Sequence, residues 1–198
     1  MSKECETMWK MTTLLAALLA SGAALAQDYS EPLKIIGEAR SFKAGEQVFE
    51  RRLPLPFNRF LGAQGVLQPA EPVPGVVMVT EIELLAAFND PGAIVVDTRE
   101  IKDRVKGTIP GSVSMPYTEI VQRMGELGCR KPPQGSDQWD CSQARIVYGF
   151  CSSPVCPFTP TAIRATTRAG FPAANWRYYR GGMLTWEALG LPVVLDDF

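Results

Sequence analysis

Residues 76 to 195 predict an α/β domain: a mainly parallel five-stranded sheet with helices on both faces, preceded by a Pro-rich N-terminal arm. Three observations carry this reading. The 198 residues are 46% apolar and 21% charged, the profile of one globular domain. Short strand-like runs alternate with stretches of helical spacing, the order that builds parallel sheets. Turn and capping residues punctuate nearly every switch between the two.

The elements follow in order. Val76 to Val79 reads as a strand, and Thr80 with Glu83 three residues on forms a capping box that opens a helix through Phe88. Asn89-Asp90-Pro91-Gly92 ends that helix. Ala93 to Val96 is a second, buried strand finishing in Asp97-Thr98-Arg99, and Ser112 to Met115 a third after the turn Ile109-Pro110-Gly111. Thr118 is expected to cap a helix that stops at Gly128. Arg145 to Phe150 is the fourth strand and runs straight into Cys151. Thr159 as cap and Pro160 as first helical residue predict a helix to Ala169, with Gly170 as its stop. Trp176 to Tyr179 is the fifth strand and Gly182 to Leu189 a last helix. Ligands of such sheets sit beyond the carboxyl ends of the strands, so Asp97, Arg99 and Cys151 are expected to share a rim.

Composition excludes several chemistries. Twenty basic against 21 acidic residues give a net charge of −1, which offers no field for nucleic acid or an anionic membrane. Histidine is absent, which removes histidine-ligated metals and imidazole acid–base or nucleophile-activating work. No metal and no cofactor is expected.

The first 26 residues read as a signal peptide. Lys3 and Lys10 precede an apolar run of 16 residues, 11 to 26, that ends in Ala24-Leu25-Ala26, a small-x-small site predicting cleavage after Ala26 and a periplasmic or secreted protein. The run is short of the roughly 20 residues that span a bilayer, so no stable membrane insertion is expected after cleavage. Residues 27 to 75 carry six prolines and form the arm, whose Phe49, Phe57, Phe60 and Leu61 are too apolar for a free linker; it is expected to lie on the domain of residues 76 to 195 and to offer a surface for a protein partner.

Export leaves four cysteines in an oxidising compartment. Three pairings are possible. Cys129 and Cys141 bracket a Pro-, Gly- and Ser-rich loop and are assigned a structural disulfide, with Cys151 and Cys156 left for chemistry or for each other.

Four motifs stand in order along this framework: Val95-Val96-Asp97-Thr98-Arg99; Lys106-Gly107-Thr108-Ile109-Pro110-Gly111-Ser112-Val113; the strand running into the cysteine loop; and Arg180-Gly181-Gly182-Met183-Leu184-Thr185-Trp186 followed by Gly190-Leu191-Pro192-Val193. Together they resemble the rhodanese-like family over about residues 76 to 195. The resemblance implies a rhodanese-like fold and a sulfurtransferase that carries sulfane sulfur as a cysteine persulfide, with Cys151 where the family keeps its nucleophile. Two departures stand out. Thr108 occupies the place of a histidine that serves the turn, and the loop Ser152-Ser153-Pro154-Val155-Cys156-Pro157-Phe158 lacks the basic residue of thiosulfate-using members and runs about two residues longer.

A free thiol is only about 3% ionised at pH 7, and half ionisation needs roughly 2 kcal/mol of stabilisation. A helix N-terminus and loop N–H groups can supply it. Pro154 and Pro157 donate nothing, so the donors must be Ser152, Ser153, Val155, Cys156 and Phe158, while Arg99 and Arg164 are the nearest cations expected from topology. Cys156 is open to three readings: a resolving thiol, a disulfide mate of Cys151, or a loop hydrophobe. Asp97 and Arg99 are expected to pin the rim by an ion pair, and Gly181, Gly182 and Trp186 to serve packing. The partners expected are a small sulfur donor or a protein thiol or persulfide. Thiol–disulfide exchange through Cys151 and Cys156 is the alternative activity, and a non-catalytic binding module the third.

Overall fold

The computed structural model describes residues 66 to 195 apart from Pro133, together with short strands in the arm. The proposed export signal lies outside the described residues. In the arm, β1 (Leu33–Lys34) pairs with β4 (Val66–Leu67), and β2 (Ser41–Ala44) with β3 (Gln47–Glu50), both antiparallel.

The main sheet contains β5 (Val77–Val79), β6 (Ala93–Asp97), β7 (Val113–Ser114), β8 (Ile146–Phe150) and β9 (Trp176–Tyr179) in the order β5-β9-β8-β6-β7, and every pairing in it is parallel. The helices are α1 (Glu81–Ala87), α2 (Ile101–Arg104), α3 (Phe158–Arg168) and α4 (Gly182–Ala188).

Strand side chains alternate between faces, and here the alternation divides two cores. Ile94, Val96, Val147, Trp176 and Tyr178 pack on one face with Ala162 and Ile163 of α3 and with Met115, Ile120, Met124 and Leu127. Val79, Ala93, Val95, Phe150 and Tyr179 pack on the other with Leu84 and Ala87 of α1 and with Met183 and Trp186 of α4. Gly149 is required on the first face: a Cβ there would stand 2.6 Å from the Trp176 ring.

The expected capping box is present, with the Glu83 carboxylate accepting from Thr80 N at 2.8 Å and from its hydroxyl at 2.6 Å. Two expectations are corrected, and one element is new. The segment from Thr118 to Gly128 forms turns and a 3-10 helix at Met124–Leu127 rather than an α-helix. Gly125 weakens an α-helix there by about 1 kcal/mol relative to alanine, and Cys129 N turns back to Met124 O at 3.2 Å, ending the segment at the disulfide. Helix α3 starts at Phe158 with Pro157 as cap, two residues before the expected start. Helix α2, which the motifs did not signal, occupies Ile101–Arg104.

Cys129 and Cys141 are joined, and a β-bridge between Arg130 and Asp140 closes the loop beside them. Replacing both cysteines by serine is expected to lower stability by about 2 to 3 kcal/mol, read from urea denaturation of the folded variant, with the environment of Cys151 unchanged. An unfolded double variant would contradict this.

Candidate active site

Strand β8 ends at Phe150 and the next residue is Cys151. Phe150 lies in register with Asp97 of β6 and Tyr179 of β9, so three strand ends meet beneath the cysteine. Thr98 locks this junction. Its amide donates to Phe150 O at 3.1 Å and its hydroxyl to the same oxygen at 2.8 Å. A hydroxyl has one proton, so the 2.7 Å contact between Thr98 Oγ1 and Thr159 Oγ1 has Thr159 as donor. That bond ties α3 to the strand ends, with both threonines fully buried.

Below the rim lies a charged cluster. Asp97, fully buried, accepts from Arg99 Nη2 at 2.6 Å, from Arg99 Nε at 2.9 Å and from Thr108 Oγ1 at 2.8 Å. Arg99 Nη2 also donates to Gly107 O at 2.8 Å. Arg104 stands 3.5 Å from the same carboxylate and donates to Ser112 O at 2.7 Å. Arg99 is thereby committed to the scaffold. Thr108, at the histidine position of the pattern, donates to Asp97 and accepts from Arg104 Nη1 at 3.2 Å, while the Ser112 hydroxyl donates to Ile109 O at 2.7 Å and accepts from the same Nη1 at 3.1 Å, so Thr108 serves the turn.

The cysteine loop is held from outside by its carbonyls. Cys151 O accepts from Met183 N at 3.0 Å and Ser152 O from Leu184 N at 2.9 Å, both at the start of α4. Pro154 O accepts from Gln68 N at 2.9 Å, and Gln68 O in turn accepts from Arg180 Nε at 2.7 Å. In a trans peptide the C=O and the following N–H point oppositely, and no cis peptide occurs among the described residues. Anchoring these carbonyls therefore turns the amides of Ser152 and Ser153 away from the groups that hold the carbonyls, whereas the Val155 amide, expected as a donor to sulfur, is taken by Ser153 Oγ at 3.4 Å. Within the loop, Cys156 N donates to Ser153 O at 3.0 Å, closing a turn that brings Cys156 back to Cys151. The two cysteines form a disulfide, 2% and 7% exposed. Phe158, the first residue of α3, stacks on Tyr117 with ring centroids 4.3 Å apart.

Gly182 and Arg180 do more than the sequence suggested. Gly182 adopts φ +60°, and a Cβ on it would collide with Cys151 O and stand 2.9 Å from Ser153 N, so its glycine lets α4 approach the loop. Arg180, from the same motif, couples the arm to the loop through Gln68, which is buried. Burial pushes the Tyr178 phenol well above its ordinary range, against the opposing pull of Arg180 and Arg164. Its hydroxyl has no hydrogen-bond partner among the described residues. Arg164 and Arg180 are thus the cations acting on Tyr178, while Arg99 is held by Asp97 and Gly107 O. A cavity of about 500 Å³ lies elsewhere, lined by Lys131, Trp139 and Arg168 beside the Cys129–Cys141 loop.

With this geometry in place, the comparison with known families is decisive: the model of the rhodanese-like domain matches residues 80–189. The chain belongs to the rhodanese-like family. An HTH-type transcriptional regulator of Mycobacterium tuberculosis is 28% identical to the rhodanese-like chain over 115 residues, which are 58% of this chain and 43% of the regulator. The chain thus spans less than half of that relative's length. Among solved structures, a rhodanese-related protein from Thermoplasma volcanium is 19% identical, covering 60% of this chain and 98% of its own, with a TM-score of 0.43. A protein from Bacillus halodurans is 20% identical, covering 59% and 75%, with a TM-score of 0.47.

Gly182→Ala is expected to shift the loop, because both the positive φ and the contact with the Cys151 carbonyl oppose a side chain. The rhodanese-like domain should lose about 1 to 3 kcal/mol of stability in urea denaturation, with faster reduction of the Cys151–Cys156 bond. An unchanged midpoint and reduction rate would refute the close approach.

Proposed function

We propose that this rhodanese-like protein is an exported sulfurtransferase in which Cys151, once reduced, takes up sulfane sulfur as a persulfide. The observation that carries the reading is the position of Cys151 directly after β8, in a loop whose carbonyls are anchored outward and which runs into the N-terminus of α3. Outward carbonyls mean inward amides, and inward amides favour thiolate and persulfide anions alike. The disulfide with Cys156 must open first, because a disulfide sulfur cannot act as the nucleophile. The uncharged loop favours polysulfide or protein-persulfide donors over thiosulfate.

The test is intact mass. Reduced Cys156→Ser protein, which lacks the disulfide mate, should gain 32 Da on Cys151 with polysulfide, about the mass of one sulfur atom, and Cys151→Ser should gain nothing. Sulfur uptake by a folded Cys151→Ser variant would defeat the proposal. Poor uptake from thiosulfate alone is expected of the wild type.

The Cys151–Cys156 bond also favours a second reading, thiol–disulfide exchange with a dithiol partner. Exchange needs both sulfurs, so either serine substitution would stop it, whereas persulfide formation survives Cys156→Ser.

Export rests on residues 1 to 26. Material from the native host is expected to begin at Gln27, as N-terminal sequencing would read. Retention of residues 11 to 26 in a membrane fraction would overturn this.

A further inference from the structure

The loop places a second thiol within bonding reach of the first. Cys156 is joined to Cys151, and the turn made by Cys156 N and Ser153 O, flanked by the fixed φ angles of Pro154 and Pro157, keeps it there. Burial of both cysteines, at 2% and 7% exposure, restricts the approach of an external protein thiol but leaves the internal one in place. We propose that Cys156 is a resolving thiol and that the domain reduces sulfane sulfur to sulfide. This deepens the persulfide reading and rests on it.

The step balances. The Cys151 persulfide anion is attacked at Cys151 Sγ by Cys156 Sγ. The Cys151–Cys156 bond forms and the bond from Cys151 Sγ to the sulfane sulfur breaks. The Cys156 proton and the bonding electron pair leave with that sulfur as HS⁻. Two thiol-level sulfurs are oxidised to a disulfide, and the sulfane sulfur gains two electrons. The disulfide in the structure is then the product state of a turnover. A dithiol reductant restores the pair by exchange and becomes a disulfide itself. An attacking group already at contact has the advantage of an intramolecular reaction, so resolution should outrun transfer to a dilute external thiol.

Two features of the fold suit this. Cys129 and Cys141 are bonded to each other and therefore do not compete for Cys151. The amide of Cys156 is engaged with Ser153 O, so the loop need not refold between the persulfide and disulfide states.

The experiment uses the mature full chain, reduced, freed of reductant under anaerobic conditions, and mixed with one equivalent of glutathione persulfide. Wild type is expected to release one equivalent of sulfide above the Cys151→Ser background, lose two titratable thiols, and finish at the mass of the Cys151–Cys156 disulfide. Cys156→Ser should stop at the persulfide, 32 Da heavier by one sulfur, with sulfide release at least about 100-fold slower until an external thiol is added. Cys156→Ala, a small apolar replacement at a buried position, repeats the measurement if the serine variant does not fold. A wild-type persulfide that persists with Cys156 still free would overturn the inference while leaving the persulfide reading intact. Sulfide release from Cys156→Ser at the wild-type rate would overturn it as well. If neither variant nor wild type takes up sulfur, the persulfide reading itself falls, and this inference with it.

Discussion

The structure is organised around one buried carboxylate. Asp97 has no exposed surface and sits between two guanidinium groups that are themselves buried, Arg99 and Arg104. Ions so placed are tolerable only when their remaining hydrogen-bonding groups are matched. The matching is what shapes the region: Arg99 reaches Gly107 O, Arg104 reaches Ser112 O and the hydroxyls of Thr108 and Ser112, and Thr108 donates to the carboxylate. The end of β6, the turn after α2 and the entry to β7 are thereby fixed to one another. Removing the carboxylate alone would leave two buried cations, which costs several kcal/mol, about 3 to 5 in comparable cases.

That fixed end of β6 is the floor of the cysteine loop. Phe150 is in register with Asp97, and Thr98, the next residue, donates twice to the Phe150 carbonyl. The position of Cys151 thus follows from the charged cluster through one strand pairing and two hydrogen bonds. On the opposite side, α4 approaches closely because residue 182 is glycine, and its first amides take the carbonyls of Cys151 and Ser152. The loop is held between this buried ion cluster and a helix start whose amides take its carbonyls.

Much of this was legible in the sequence wherever the determinant is local. Thr80 and Glu83 specify a helix start by their own spacing, and the apolar runs of β6 and β8 declare strands buried on both sides. The cysteine at the end of β8 could likewise be placed by counting. Elements set by distant partners were not legible. Ile120, Met124 and Leu127 keep helical spacing, yet a run of turns at Ile120 and a 3-10 helix at Met124–Leu127 bury the same three residues and the chain leaves at Cys129. Thr159 has the chemistry of a cap, but its hydroxyl is taken by Thr98, 61 residues away in sequence. Arg104 lies between ordinary helix charges, and nothing nearby announces that it is buried. Gln68 belongs to a stretch that reads as arm, and only the fold brings its amide to Pro154.

The two disulfides differ in what they contribute, and the difference follows from the loops they close. Loop-closure entropy grows with length, so the bond spanning 12 positions between Cys129 and Cys141 constrains the unfolded chain more than the one spanning five between Cys151 and Cys156. The shorter loop is also restrained without its disulfide, by the turn at Ser153 and by the donors from Met183, Leu184 and Gln68. Little of its shape depends on the sulfur bond. A bond that the fold does not need for its shape can be opened and remade during a reaction, whereas one that closes a long turn-rich excursion serves best when left alone. The same backbone bonds that make the Cys151–Cys156 disulfide dispensable for structure keep the two sulfurs together when it is broken.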